Sequence, residues 1–202
     1  MGTAPSRRVR ADAQRNVDLL LEAATAVFAE SGVDAPVREI AVRAGVGVGT
    51  LYRHFPQRSD LIVAVFKTEV DACAQVAPVL ATEHDPLEAL IRWLMRFTRF
   101  IITKRGLAGA LQSGDPAFEQ LPGYFDTRFS PVLGRLLYAA EEAGEINAAD
   151  VEPIDLLRAV ANLSLPSAED PDHTLRMVRL LIDGLRFNAR ESRSSGLPGL
   201  QG

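Results

Sequence analysis

The sequence holds a single cysteine, Cys73, among 202 residues. An intrachain disulfide is therefore excluded, and nothing points to an oxidising compartment. No apolar run approaches the roughly 20 residues of a membrane span, so no membrane partner is expected. The polar, basic start from Gly2 to Arg10 is followed by no apolar segment. No secretory leader is expected either, and the chain reads as cytoplasmic. The three histidines, His54, His84 and His173, lie far apart and share no ligand-like spacing with Cys73 or a carboxylate pair. Neither a zinc site nor any other metal or cofactor is expected. No nucleophile elbow or Ser/His/Asp order is visible, so catalysis is not expected. Strand-like alternation and internal repeats are missing too, which leaves an all-α chain.

Lysine is absent from the first sixty residues, where eight arginines face seven acidic residues. The rest of the chain carries fourteen basic against nineteen acidic residues, so the formal net charge of -4 conceals a division. Arg7, Arg8, Arg10 and Arg15 crowd the start, and Arg38, Arg43, Arg53 and Arg58 fall around one short segment. Local placement, more than net charge, governs phosphate contact.

Helical periodicity runs almost throughout. Val17, Leu20, Leu21, Ala24, Val27 and Phe28 follow a 3.6-residue spacing that Gly32 can end. Pro36 opens a short helix to Arg43, Gly45 breaks it, and a third helix spans Val48 to His54 before Pro56. A fourth is expected from a Ser59 cap towards Pro78. Further helices are expected over about 85–105, 107–112, 123–143 (bent near Pro131), 153–163 and 171–189. The Ser/Gly/Pro-rich end has the composition of a disordered tail.

The informative run is Arg38 to Phe55. Ala41 is small enough for close helix approach, and Gly45 supplies the backbone freedom that a tight turn needs. Ile40, Ala44, Val46, Leu51 and Phe55 can share one miniature core. Val48, Gly49, Thr50, Tyr52, Arg53 and His54 are left on or beside the outer surface of the last helix, which has the width to enter a DNA major groove.

This run resembles the DNA-binding domain of the tetracycline-repressor (TetR) family, from about Asn16 to Leu61. The matching elements are Ile40-Ala41, Ala44-Gly45-Val46, Gly49-Thr50-Leu51-Tyr52 and His54-Phe55. The resemblance implies a homodimer that binds a double-stranded, palindromic DNA operator and is released by a small, largely apolar effector. It also implies phosphate contacts from Thr50, Tyr52 and His54, with Arg58 standing where relatives carry lysine. Three positions depart from the family: Gly47 replaces the usual serine of the turn, and Pro36 and Val37 replace threonines. Hydroxyl contacts are lost there, and Arg38, Arg58 and the arginine-rich start are the candidates to compensate.

Plainer readings stand beside these. Tyr52 could pack, His54 could cap its helix as readily as meet phosphate, and Arg53 could be a base reader or a solvated charge. The glycines at 45, 47 and 49 do not make a dinucleotide loop, because a helix precedes them and Tyr52 stands where a third glycine is needed.

Four regions follow from this reading: a disordered basic arm (1–10), a helix-turn-helix domain (11–57), a helical ligand-binding and dimerisation domain (58–190) and a disordered tail (191–202). The helix around Leu90, Trp93, Phe97 and Phe100 looks apolar on nearly all sides, as befits a helix with neighbours all round. Trp93, Phe97, Phe100, Leu111, Phe118, Phe125 and Phe129 are candidates for an effector pocket, although each could equally be ordinary core. Leu157, Val160, Leu175, Val178, Ile182 and Leu185 form stripes on the last two helices, and the resemblance implies that this pair forms the dimer interface. The competing classes are a helical protein–protein adaptor and an α-helical enzyme with an apolar pocket; no convergent polar set favours the enzyme.

Overall fold

A computed structural model describes residues 7–103, 113–164 and 171–195. The short helix expected over 107–112, the pocket candidate Leu111 and the two ends of the chain lie outside the described residues. Within them every regular element is helical: α1 (Arg7–Ser31), α2 (Val37–Arg43), α3 (Val48–His54), α4 (Arg58–Glu83), α5 (Pro86–Thr103), a 3-10 turn (Pro116–Phe118), α6 (Leu121–Glu142), α7 (Pro153–Ser164) and α8 (Pro171–Ser195). No helix among them is long and apolar enough to cross a membrane.

Three boundaries differ from the sequence reading. α1 begins at Arg7, inside the stretch expected to be a disordered arm, because no glycine or proline interrupts the good helix formers from there to Ser31. α8 likewise runs on to Ser195, into the expected tail. α4 starts at Arg58, with the Asp60 carboxylate accepting from the Gln57 N–H at 2.9 Å. That is the back-reaching half of a capping box, so Ser59 is not the cap. The same helix passes through Pro78. A proline there removes one helical hydrogen bond and costs about 3 kcal/mol. The helix survives because Cys73 and Ala77 remain buried on its packed face while Pro78 faces outward.

The described chain forms two compact units, 7–69 with 103 and 113–122, and 70–102 with 123–164 and 171–195. The division falls inside α4, twelve residues later than the expected boundary at 57/58. Leu61, Ile62 and Val65 are buried, so the start of α4 belongs to the core that also holds Leu20, Val27, Ile40 and Leu51.

In the second unit α5 buries Leu90, Trp93, Leu94 and Phe97, whereas Arg92, Arg96 and Arg99 are exposed. The arginines recur at helical spacing, so α5 has a solvated face and is not apolar all round. Trp93, Phe97, Phe100, Phe125 and Phe129 form one cluster of rings with centroids 4.8–6.5 Å apart. The indole N–H of Trp93 donates to the Cys73 carbonyl at 3.1 Å, which satisfies a polar group deep in this core.

α4 and α6 are joined by a polar clamp. Tyr124 donates its hydroxyl to Asp71 at 2.8 Å, and Arg128 Nε pairs with the other carboxylate oxygen at 2.6 Å. Burial, then the bond to the Asp71 carboxylate, pushes the Tyr124 phenol above the usual tyrosine range. A raised folded-state value favours the neutral phenol. Its contribution to stability is complete below the unfolded tyrosine value of about 10 and is lost as pH rises through the folded value. An ultraviolet titration should show a phenolate signal that appears above the ordinary tyrosine range and disappears in Tyr124→Phe.

Candidate nucleic-acid interface

The turn between α2 and α3 is built by backbone hydrogen bonds. Gly45 has φ +68, its N–H donates to Val42 at 3.1 Å, and the Val46 N–H donates to Ala41 at 3.0 Å. This pair of bonds closes the end of α2 in the left-handed pattern that glycine adopts without strain. Gly47 then precedes α3 with φ -70 and ψ 144 and makes no side-chain cap; its carbonyl accepts from Thr50 at 2.8 Å.

A serine at position 47 would be compatible with this geometry. The backbone is ordinary, and a Cβ would come no nearer than 4.0 Å to Thr50 Oγ1. Gly47→Ser is expected to stabilise the protein by only a few tenths of a kcal/mol. It should also tighten duplex binding about fivefold, the worth of one added hydrogen bond, without steepening the salt dependence, since no charge is added. Unchanged affinity in a titration at two salt concentrations would exclude a hydroxyl contact here.

α3 turns Leu51 inward and Phe55 follows it into the core. Gly49 and Arg53 are exposed, Tyr52 is 49 % exposed, and Val48, Thr50 and His54 are half-buried. His54 lies against the Phe55 ring with centroids 6.5 Å apart, so part of its surface is spent on packing. Val42 is 73 % exposed on α2, one turn from exposed Arg38. The sequence reading missed it, because valine in a short helical run reads as core.

The four arginines around this segment divide into two pairs. Arg43 forks onto both oxygens of Glu30 at 2.7 and 2.8 Å, and its hydrogen bonds hold the Glu30 carboxyl below its usual range. Arg58, expected as a phosphate clamp, is turned inward: its Nη1 donates to the Val33 carbonyl and its Nη2 to that of Ala35 at 2.6 Å. In this arrangement both ends of the guanidinium fork are taken by the main chain. Among the described residues, Arg38 and Arg53 make no hydrogen bond or ion pair. These two, with Tyr52, form the available cationic and aromatic surface.

The remaining candidates fall in two groups. Trp93, Phe97, Phe100, Phe125 and Phe129 come together in the ring cluster, with Phe125 the half-buried member. Phe118 is buried on the 3-10 turn of the first unit and is not part of it. Leu157 and Val160 are 0 % exposed and Val178 and Ile182 2 % exposed in the single chain, with Leu185 also buried and Leu175 half-buried. The five buried side chains of this stripe are covered within the single chain, whereas half-buried Leu175 keeps area that a partner could cover. The outward stripe of α8 holds Met177, Leu180, Leu181 and Gly184, and Leu180 is 64 % exposed.

A helix-turn-helix in one helical unit, followed by a second helical unit, defines a class of two-part helix-turn-helix regulators. Residues 20–65 match the model of bacterial regulatory proteins of the tetR family, and residues 85–187 match the C-terminal domain of SbtR-like transcriptional regulators. The chain belongs to the tetR family of transcriptional regulators. A TetR transcriptional regulator from Streptomyces coelicolor is 39 % identical with a TM-score of 0.69, the match covering 84 % of this chain and 97 % of that one. A TetR regulatory protein from Mycobacterium vanbaalenii is 37 % identical with a TM-score of 0.69, covering 88 % and 99 %. An HTH-type transcriptional regulator of Staphylococcus aureus is 29 % identical over 112 residues, which is 53 % of this chain and 59 % of its own length. The chain thus spans under two thirds of the length of the curated relatives it matches.

Proposed function

We propose that this chain is a homodimeric repressor that binds a palindromic operator through α3 and leaves it when a small, largely apolar effector occupies the second unit. The observation that carries the reading is the pair of uncommitted arginines, Arg38 and Arg53, beside exposed Tyr52, on a helix-turn-helix whose other two nearby arginines are engaged internally. Arg53 is positioned on α3 to reach a base edge, since arginine is the commonest partner of guanine. Thr50, Tyr52 and His54 are assigned to phosphates, and Val48 and Gly49 to close approach at the groove.

Two further parts complete the proposal. The effector contacts the rim of the ring cluster at Phe100 and Phe125, while Trp93, Phe97 and Phe129 support it from within. The dimer forms through the outward stripe of α8, whose exposed Leu180 would otherwise face water. Two-fold symmetry matches a palindromic site and lets two modest half-site contacts combine.

The test is selection of duplexes from a random library by the purified full chain, followed by titration and sedimentation. An enriched inverted repeat bound by a dimer is the expected result. No preference for any duplex at low salt would replace this reading with that of a protein–protein adaptor. Loss of binding on adding apolar aromatic compounds would support the effector half.

A further inference from the structure

We infer that Arg58 is a positioning residue for recognition, a staple across the helix-turn-helix, and not a phosphate clamp. The inference rests on the DNA-binding reading above. Its guanidinium donates to two main-chain carbonyls, Val33 and Ala35, that lie 25 and 23 residues back in the chain. Both acceptors belong to the turn between α1 and α2, where Val33 is 9 % and Ala35 4 % exposed. Buried carbonyls need a donor, and Pro36, next in the chain, has no N–H to offer its surroundings.

Helix energetics do not explain an arginine here. It is the first residue of α4, where the helix dipole disfavours a cation. The two carbonyls offset that penalty, and the planar fork suits them as a flexible ammonium would not. Between Ala35 and Arg58 the chain traces α2, the Gly45 turn and α3. The fork therefore closes a ring of chain around the whole motif and holds both ends of the segment that carries Tyr52 and Arg53.

Arg58→Lys and Arg58→Ala in the full chain test this against a duplex selected by the wild type and a random-sequence duplex, each over a salt series. The staple predicts that both variants lose about tenfold or more on the selected duplex, with random-duplex binding and salt slope retained. Arg96→Lys, the same exchange at an exposed arginine of the second unit, should leave both duplexes near wild type. Three results would overturn the inference: rescue by Arg58→Lys, a salt slope shallower by about one phosphate contact in Arg58→Ala, or equal loss on both duplexes with the protein folded. If Arg58→Ala does not fold, Arg58→Lys carries the comparison.

Thermal unfolding without DNA separates the two readings. If the wild type prefers no duplex, the DNA-binding reading fails. The staple is then still decided by whether Arg58→Lys lowers the unfolding midpoint, as the fork requires, or leaves it unchanged, which overturns it.

Discussion

Replacing Phe97 with alanine is expected to destabilise the second unit by about 3–5 kcal/mol. The side chain is fully buried at the middle of α5 and touches every other ring of the cluster. Phe129 meets it edge-on at 5.2 Å, Trp93 stacks on it at 5.7 Å, and Phe125 and Phe100 lie at 5.7 and 6.2 Å. Such ring pairs add about 0.5–1.5 kcal/mol each beyond area burial. The loss does not equal their sum, because the neighbours can relax only partly into the hole. Denaturant unfolding measures the cost directly. The comparison that decides its meaning is Phe125→Ala at the half-buried rim, expected to cost less stability and to weaken effector-induced release more. A loss under about 1 kcal/mol for Phe97→Ala would mean that the ring bounds a space instead of filling one.

Arg53→Ala is expected to weaken binding to the selected operator by about 1–3 kcal/mol and to relax the preference at one base pair. Folding stability should hold, since the side chain is exposed and has no partner among the described residues. Tyr52→Ala should instead weaken binding to all duplexes alike. It should also cost some stability, because the half-exposed ring walls a cleft of about 200 Å³ with Val37, Leu51, Phe55, Arg58 and Leu61. Titrating both variants against the operator and a random duplex separates base reading from phosphate contact. Equal losses on the two duplexes for both variants would remove Arg53 from the set of base readers.

The helix-turn-helix was legible because its determinants are local. The left-handed turn needs Gly45, the bonds that close it join residues three and five apart, and Leu51 on α3 and Phe55 just past its end lie one turn apart on the inward side. The same locality made the span of α3 readable to the residue. Helix ends that depend on packing were not readable. α4 crosses Pro78 because its buried face outweighs one lost hydrogen bond, a balance that no local pattern contains.

Arginine illustrates the limit most clearly. The sequence alone established that every cation of the first sixty residues is arginine and that four of them surround the recognition segment. Which of the four remain available was settled only by the tertiary structure, since Glu30 lies 13 residues from Arg43 and the carbonyls that engage Arg58 lie 23 and 25 residues away. The stripes on α7 and α8 divide in the same way. Their periodicity is a property of the chain, but whether Leu157 and Ile182 face their own unit or a partner depends on which neighbouring helix covers them. A helical repeat specifies that one face is apolar, and only packing in three dimensions determines what that face is buried against.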